Sequence, residues 1–506
     1  MRNQTSTRTI TYENPIGGYT LKPPKSYLFT DQRLIDPGDL RWLSPEGKPL
    51  PVAGPPEPMT DAYADWGSVP RGVRLVAQRA VKMEPLRKEH SVFGEVIVED
   101  GMYRSWAMDV SYPPGGNLGS YSTSQPLAVS ILATESADGF EWKQRARNEV
   151  SVPGQTRMDG FTFFVDPAGS PKERYKAVYM ARPPESEIGP LWEQYRKVHP
   201  RYRDVRLGPD RKITCIYGLV SPDGLRWTPI REPFMVHYSD TDTTVYYDEW
   251  LRKYVMYTRL YLLKRRMIAR AEASDFRHWG PVEPMIWPSL DEPLSTDVYT
   301  NARTCYPGMP EVHLMFPMFY HRADQTSDIR MYSSYDGIHW NQVPGGPVIK
   351  PGEPGQWDSE FIVAGKNLVP LGSDRVAIPY SGTPYPHKYP RWQPVLEAGH
   401  RTWAWWPKGR LCAVTADEDG EFTTFSIPVM GHELRINART RRAGGIWVGL
   451  VGREGRSVAD CDAITGDNFA HPVHWKGQAD VGVESGASVA LRFKLRYAEL
   501  FGFEWV

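Results

Sequence analysis

Hydrophobic residues recur along this chain in short runs, and a cluster of turn residues closes each run. Runs such as ILATE, IYGLV and VIVEDGMYRSWAM either alternate apolar and polar positions or form a short apolar block, which indicates strands. Almost no stretch of ten residues carries the 3.6-residue apolar spacing of an amphipathic helix. The pattern therefore predicts an all-β protein.

One turn motif recurs after strand-like runs. Its copies follow Ser-x-Asp-Gly-x-x-Trp at 136–142, 221–227 and 334–340, and a copy one residue shorter without the Gly lies at 274–279. Gly accepts the positive φ of a tight turn and Asp bonds its own backbone, so each copy predicts a turn that its Trp covers. A degenerate copy without the Trp is centred on Asp419-Gly420.

A second strand–turn–strand pattern precedes each copy, so every repeat carries two hairpins. Copies separated by roughly 50 to 85 residues leave room for four strands and a loop, the size of a propeller blade. Five repeats predict a five-bladed β-propeller over 85–425, with 1–84 as an N-terminal extension that wraps the propeller. The alternating strands of 426–506 predict a C-terminal β-sandwich. The alternative, a coincidence of turns in a β-sandwich, is disfavoured by four Trp at matched offsets.

Composition supports this interpretation and removes several classes of function. The 44 glycines, 46 prolines and 27 tyrosines among 506 residues disfavour long helices and favour pleated surfaces. The 60 basic and 60 acidic residues give a formal net charge of zero, which argues against nucleic acid or an anionic membrane as a partner. A homo-oligomer is left open.

Cysteines and the chain start bear on the cellular setting. The four cysteines have no Cys-x-x-Cys spacing, which argues against a disulfide framework or a zinc site. No run approaches the ~18 apolar residues of a membrane span, and the first residues lack the apolar core of a secretory signal. We expect a cytoplasmic protein.

The repeats, the double hairpins and the C-terminal sandwich together resemble the five-bladed β-propeller glycoside hydrolases. That superfamily includes β-fructosidases, arabinanases and related exo-glycosidases, and the resemblance covers about 85–506. Sialidase Asp boxes are similar turns but place one residue between Asp and Gly. The Trp-Asn-Asp-Pro and Arg-Asp-Pro signatures of β-fructosidases are missing, and Val165-Asp166-Pro167 is the nearest element. The resemblance implies glycosidase chemistry but leaves the substrate and the catalytic set open.

A propeller brings the leading ends of its inner strands together around the central channel. Carboxylates occupy these positions in every repeat: Glu95, Asp159, Asp240, Asp242, Asp297, Asp358 and Glu360. Crowded carboxylates raise one another's pKa, and glycoside hydrolysis needs a protonated acid beside an ionised base or nucleophile. For any one of them, a turn cap is the structural alternative.

Catalytic roles are assigned by reach and position. We predict Asp159 as base or nucleophile, Asp242 and Asp297 as base or orienting groups, and Glu360 as general acid. Asp240 and Asp358 fit turn positions better than their neighbours do.

Further side chains are candidates for binding the sugar, and each has a structural alternative. The candidates are Glu95, Arg104, His321, Tyr385, Trp392 and Trp405. His321 follows an apolar run and is equally suited to a structural role. Arg104, like Arg259, Arg303 and Arg322, would clamp a carboxylate-bearing sugar or pair between blades. The aromatic residues would stack on a sugar ring or anchor the propeller to the sandwich.

No nucleotide-binding or metalloprotease motif is present, so no cofactor is expected. A divalent cation at the central carboxylates is left open, since hard cations take carboxylate oxygens without fixed spacing. The sequence thus predicts an exo-acting glycosidase for an oligosaccharide or glycoside. A non-catalytic carbohydrate-binding propeller and a polysaccharide lyase are the alternatives.

Overall fold

The computed structural model describes residues 24–38, 69–87, 94–111, 128–150, 155–198, 213–241, 243–387 and 399–506. The described chain is built from strands, with one α-helix, α1 (Ile188–Val198), and two single-turn 3-10 helices at Pro171–Glu173 and Glu185–Glu187. The all-β prediction is therefore confirmed.

The strands of the first half, in chain order, are β1 (Ser26–Leu28), β2 (Arg74–Ala77), β3 (Val81–Lys82), β4 (Glu95–Glu99), β5 (Met102–Ser111), β6 (Ala128–Ser136), β7 (Lys143–Glu149), β8 (Thr156–Val165), β9 (Tyr175–Arg182), β10 (Cys215–Ser221), β11 (Thr228–Pro229), β12 (Met235–Val236), β13 (Thr244–Asp248), β14 (Lys253–Leu262), β15 (Arg265–Ala273) and β16 (Glu283–Ile286). The strands of the second half are β17 (Thr296–Val298), β18 (Arg303–Tyr306), β19 (Met309–Met315), β20 (Met318–His321), β21 (Thr326–Ile329), β22 (Tyr332–Ser334), β23 (Asn341–Gln342), β24 (Phe361–Ala364), β25 (Val369–Leu371), β26 (Arg375–Thr383), β27 (His400–Pro407), β28 (Cys412–Thr423), β29 (Ile427–Pro428), β30 (Leu434–Leu450), β31 (Asp467–Pro472), β32 (Ser488–Val489) and β33 (Leu491–Trp505).

The described chain forms two compact units. The first holds Arg79–Gln342 and Pro347–Trp406, and the second holds the described part of Thr20–Gln78 together with Val343–Gly346 and Pro407–Val506. The units do not follow the predicted bounds 1–84, 85–425 and 426–506, because β2 and β3 are close in sequence and join different units.

Six antiparallel sheets follow one another along the described part of the first unit, and we group them as blades 1 to 5. Blade 1 is β4-β5-β6-β7, blade 2 is β8-β9-β10-β11, and blade 3 is β13-β14-β15-β16. Blade 4 combines β17-β20-β21 with β18-β19-β22-β23, because an irregular segment interrupts its inner strand. Blade 5 is β24-β26-β27-β3. Each blade begins at its inner strand and runs outwards as a meander.

The blades close into a ring. Strands of neighbouring blades contact one another in the pairs β5–β8, β8–β13, β15–β17, β21–β24 and β25–β4. The apolar core lies between blades: Trp106 of blade 1 packs with Phe163 of blade 2, and Trp142 of blade 1 packs with Leu371 of blade 5. The predicted five-bladed β-propeller is confirmed, and its last blade is completed by β3 from the N-terminal side.

The repeated motif forms one turn in all its full copies. In the second copy Ser221 Oγ accepts the N–H of Gly224 at 2.9 Å, and Asp223 Oδ1 accepts the N–H groups of Leu225 and Arg226. Gly224 has φ +71°, which a side chain would strain. Trp227 folds back and donates Nε1–H to the Gly224 carbonyl at 3.1 Å. Each residue of the motif therefore has a physical task in the turn.

The second unit is a β-sandwich. Its main sheet has the order β2-β28-β33-β30-β31, with β1 on β33, and a two-stranded sheet of β29 and β32 packs on the same core. Here one expectation is wrong: Asp419 and Gly420 lie inside β28, paired with Arg496 and Leu495 of β33, so they do not form a propeller turn. The strand is bulged just before Asp419, and the bulge accommodates a turn-like pair.

Candidate functional site

The leading ends of the inner strands lie on one end of the ring, because all blades run the same way through a meander. The loops that join second and third strands lie on this same end. We call it the leading face. Those predicted carboxylates that the structure describes and the helix α1, which follows β9, belong to it.

Asp159 lies in the irregular first half of β8, against the segment that precedes β13. Its Oδ1 accepts the N–H of Gly160 at 2.8 Å. A Cβ at Gly160 (φ +65°) would lie 3.1 Å from the Ser239 carbonyl oxygen and 3.0 Å from that of Thr241, so only glycine fits. Thr162 Oγ1 donates to the Thr243 carbonyl at 2.6 Å. These contacts hold Asp159 beside the leading end of blade 3.

Asp240 is paired with a buried arginine. The guanidinium of Arg259, on β14, donates from Nη2 to Asp240 Oδ1, and the Tyr238 hydroxyl donates to Oδ2 at 2.6 Å. The Arg259 side chain is 1% exposed. Burial by itself lowers the pKa of Arg259, but the charge of Asp240 more than offsets this and raises the pKa above its ordinary value. Asp240 therefore anchors Arg259.

Asp297 is the most tightly held carboxylate of the leading face. Arg266 Nη1 lies 2.7 Å from its Oδ2, and Arg322 Nε lies 2.8 Å from the same oxygen. The Arg322 Nη2 group reaches Oδ1 at 3.1 Å. Two guanidiniums thus hold both oxygens of this carboxylate in place. The geometry favours the orienting role that the sequence assigned to Asp297 as one of two options.

Aromatic side chains join blades 3, 4 and 5 at this face. The Tyr299 ring lies 4.9 Å from the Arg259 guanidinium carbon and 4.6 Å from that of Arg266. His387, from the loop after β26, lies 3.3 Å from the Tyr299 hydroxyl through Nε2 and stacks on Phe361 at 4.6 Å. Phe361 follows Glu360 directly, so the backbone of Glu360 adjoins this aromatic group.

Glu360 is half-buried, and only its backbone is bonded to its neighbours. Its N–H donates to the Thr383 carbonyl and its carbonyl accepts the N–H of Ser327, both at 3.3 Å. Its carboxylate has no hydrogen bond or ion pair with any described residue. Asp358, two residues earlier, is buried and receives Lys82 Nζ at 2.6 Å and the Tyr380 hydroxyl at 3.3 Å. The structure thus separates a paired Asp358 from a Glu360 carboxylate that has no partner among the described residues.

Glu95 takes part in a buried ion pair close to the channel. Lys366 Nζ lies 2.7 Å from its Oε2 and donates to the Phe163 carbonyl at 3.1 Å. The N–H of Phe163 donates to the same carboxylate at 3.3 Å. Because these groups come from blades 1, 2 and 5, the pair ties three blades together.

The remaining predicted contacts fall in different places. His321 ends β20, next to Arg322, and its Nε2 lies 2.8 Å from Asp328 Oδ2. This hydrogen bond raises the pKa of His321 above its ordinary value, outweighing burial. Tyr385 is half-buried in the loop that carries His387. These two therefore lie at the leading face.

Two predicted sugar contacts lie elsewhere. Arg104 pairs with Glu99 and lies 3.6 Å from Asp100, at the opposite end of β4 from Glu95. Trp405 lies on β27, the third strand of blade 5, with the Arg375 guanidinium 4.7 Å above its ring. Asp242 and Trp392 lie outside the described residues, and their roles stay predictions.

No group of three or more His, Cys, Asp or Glu side chains within the described ranges is placed to hold a metal ion. No helix of the described chain is long and apolar enough to cross a bilayer. The four cysteines are unpaired thiols. Burial raises the pKa of Cys215 to about 12 and that of Cys461 to about 11, so these thiols are not nucleophiles.

Sequence reasoning missed Arg266, Tyr299 and His387. Arg266 follows Arg265 in a turn that reads as an ordinary solvated charge pair, and its partner Asp297 is far along the chain. The alternation of β15 gave no clear signal, because Arg266 and Ile268 share a side with the half-buried Arg270 and Glu272. Nothing in the local pattern singles out His387.

No protein-family model and no curated protein matches the sequence. Several solved structures are similar at low identity. An N-acetylgalactosamine deacetylase from F. plautii, in complex with blood group B trisaccharide, has TM-score 0.40 and 13% identity over 67% of this chain and 96% of its own. A glycoside hydrolase family 43 arabinoxylan arabinofuranohydrolase from Bacillus subtilis has TM-score 0.36 and 9% identity over 83% of this chain and 96% of its own. A family 32 β-fructofuranosidase from Bombyx mori has TM-score 0.37 and 9% identity over 87% of this chain and 94% of its own.

Proposed function

We propose that this protein is a glycoside hydrolase whose site lies on the leading face of the propeller. In this proposal Glu360 protonates the leaving oxygen as general acid, and Asp159 acts as base or nucleophile. Propellers host many functions, so the fold alone does not carry the proposal. The observation that carries it is the contrast between Glu360, with no described partner, and the paired carboxylates around it.

Pairing decides which carboxylates are available for chemistry. Asp240, Asp297 and Asp358 each receive a cation, and these pairs fix the position of their carboxylates. Glu360 is half-buried without such a cation, so this scheme assigns it the role of proton donor. A neutral carboxylic acid beside an ionised carboxylate is the requirement of glycoside hydrolysis. Asp159 supplies the ionised partner in this scheme.

The proposal includes exo action on an oligosaccharide or glycoside. The helix α1 and the loop that carries Tyr385 and His387 both extend from the leading face, where second and third strands join. Segments raised around a channel mouth favour a pocket that accepts a chain end over an open cleft. An exo enzyme would release one sugar at a time from a reducing-end-labelled oligosaccharide, whereas an endo enzyme would release a mixture.

The proposal is tested with Glu360→Gln, which keeps the shape and removes the transferable proton. We expect turnover to fall by about 10²–10⁴-fold on a substrate with a poor leaving group, while binding persists. The loss should be smaller on a nitrophenyl glycoside, whose leaving group departs with little protonation. Glu353→Gln is the matched control, because Glu353 is exposed in the same loop and its turnover should not change.

The outcomes separate the roles. Equal losses of turnover on substrates with good and with poor leaving groups would make Glu360 a base, a nucleophile or a positioning residue. Full activity on both would exclude Glu360 from the chemistry. A wild-type protein that binds glycosides and hydrolyses none of a broad panel would contradict the proposal and favour a carbohydrate-binding propeller. An unsaturated product would indicate a lyase.

A further inference from the structure

Three arginines gather on the leading face between blades 3 and 4, and we call them the arginine cluster: Arg259, Arg266 and Arg322. Arg259 and Arg266 come from adjacent strands, β14 and β15, and both face the ring of Tyr299. Arg322 follows β20 and shares Asp297 with Arg266. Tyr299 connects the cluster to His387, and His387 stacks on Phe361, the residue that follows Glu360.

The charges of this cluster do not balance among its own contacts. Among the residues that the structure describes, these three guanidiniums form ion pairs with two carboxylates, Asp240 and Asp297. The neighbouring Arg265 adds further positive charge, since it donates to the backbone carbonyls of Leu294 and Thr296 and pairs with no carboxylate of the described residues. A net positive site in a partly desolvated position attracts an anion more strongly than an exposed lysine would.

Arg259 also retains hydrogen-bond donors that nothing in the described chain satisfies. Its Nε and Nη1 atoms are buried without a partner, although the side chain is only 1% exposed. Buried donors without partners are rare in native proteins and costly. A guanidinium with one nitrogen on Asp240 and two donors unused fits a second, ligand-supplied acceptor.

The cluster is reachable and has aromatic surfaces beside it. Asp240 is 25% exposed and Arg322 is 39% exposed, so the cluster meets solvent at both edges. The Arg259 guanidinium carbon lies 5.7 Å from the Tyr238 ring and 4.8 Å from the Tyr261 ring. Tyrosine faces suit the apolar side of a sugar ring, and arginine forks suit a planar or tetrahedral anion.

We propose that the arginine cluster binds an anionic group on the sugar, so that the substrate carries a uronic acid carboxylate or a sulfate ester. The inference deepens the proposed function: hydrolysis of an acidic sugar rests on that function, whereas binding of the acidic sugar does not. The acidic oxygens accept from Arg259 and Arg322, and the sugar ring lies towards Glu360. The shared chemistry is a negatively charged oxygen group, and the experiment distinguishes its two sources.

The experiment compares the binding of matched acidic and neutral sugars by isothermal titration calorimetry. The probes are D-galacturonate, D-glucuronate, D-galactose, D-glucose and galactose 6-sulfate. We expect at least one acidic sugar to bind about tenfold or more tightly than its neutral counterpart, because charged hydrogen bonds contribute that much. Added salt should weaken the binding of the acidic sugars and leave the binding of the neutral sugars unchanged. A preference for uronate identifies a carboxylate, and a preference for the 6-sulfate identifies a sulfate ester.

Variants link the preference to the cluster. Arg322 is partly exposed, so the Arg322→Gln variant should fold. In this variant the affinities for acidic and neutral sugars should become similar. Arg259→Lys keeps the charge but loses the fork, so it should lose most of the preference as well. Arg277→Gln is the control, because Arg277 is 43% exposed and pairs with Glu173 at the other end of the propeller. It should keep the full preference.

Equal affinity for acidic and neutral sugars, or no binding of any acidic sugar, overturns the inference. An acidic preference that survives both cluster variants also overturns it. These results are separate from the proposed function. Acidic sugars that bind without hydrolysis of any glycoside would contradict the hydrolase and keep the arginine cluster. Hydrolysis of neutral glycosides without a preference for binding acidic sugars would support the hydrolase and contradict the anion-binding role of the arginine cluster.

Discussion

Arg266 Nη1 lies 2.7 Å from Asp297 Oδ2, and the two side chains are 7% and 1% exposed. The backbone N–H of Arg266 also donates to Asp297 Oδ1 at 3.3 Å. The pair joins β15 of blade 3 to β17 of blade 4, at the face where the site lies. An inner-strand carboxylate is thus part of the joint between two blades.

We therefore expect Asp297→Asn to lower the free energy of unfolding by about 3–5 kcal/mol, since it leaves two guanidiniums facing an uncharged amide. Urea denaturation measures the change. Asp109→Asn is the control, because its pair with Arg147 is exposed at 43% and 48% and should contribute about 0–1 kcal/mol. Similar small losses in both variants would mean that Asp297 does not hold the blades together.

The Glu95–Lys366 pair predicts a second effect on stability. Lys366→Met leaves the Glu95 carboxylate buried without its cation, which should cost about 3–5 kcal/mol. The double variant with Glu95→Gln should lose less than the sum of the single changes, because the pair acts as a unit. Stability curves for the four proteins measure this coupling. A raised KM for Glu95→Gln at unchanged stability would instead support the predicted sugar contact.

Trp227 is expected to be structural. It is 6% exposed, and its ring covers the turn of the second repeat. Trp227→Ala should lower the free energy of unfolding by about 3–5 kcal/mol, because it empties a large buried volume. Trp287→Ala is the control, since Trp287 is 43% exposed and should change little. Loss of activity at unchanged stability would place Trp227 in the substrate pocket.

His321 predicts a pH dependence of stability. Its hydrogen bond to Asp328 raises the pKa of His321 in the folded protein. The protonated form is therefore favoured by folding, and the stabilisation is fully present below the unfolded pKa of about 6.5. It is lost as the pH rises through the raised folded pKa. Asp324 adds to the shift and Arg330 opposes it.

Denaturation of wild type, His321→Gln and Asp328→Asn across about pH 5.5 to 9 tests this dependence. The difference between wild type and His321→Gln should shrink as the pH rises through that range. Asp328→Asn should remove the same slope, because it removes the partner that raises the pKa. A constant difference at every pH would contradict the role assigned to the imidazole.

The propeller could be predicted because its signals are local. Each full copy of the turn uses a Gly at positive φ, an Asp that bonds the next N–H groups and a Trp that covers the turn, all within seven residues. Strand alternation between the turns gave the remaining blade structure. The same local logic failed at Asp419-Gly420, because the sequence alone does not distinguish a bulge inside a long strand from a hairpin turn.

The sequence by itself determined that carboxylates stand at the leading end of every inner strand, since position within a repeat fixes the end of the ring. Only the tertiary structure decided which of them are paired, because their cations come from other strands: Arg259 for Asp240, Arg266 for Asp297 and Lys366 for Glu95. Ion pairs between residues distant along the chain leave no periodic trace. The availability of Glu360 is therefore a property of the folded ring, while its position is a property of the chain.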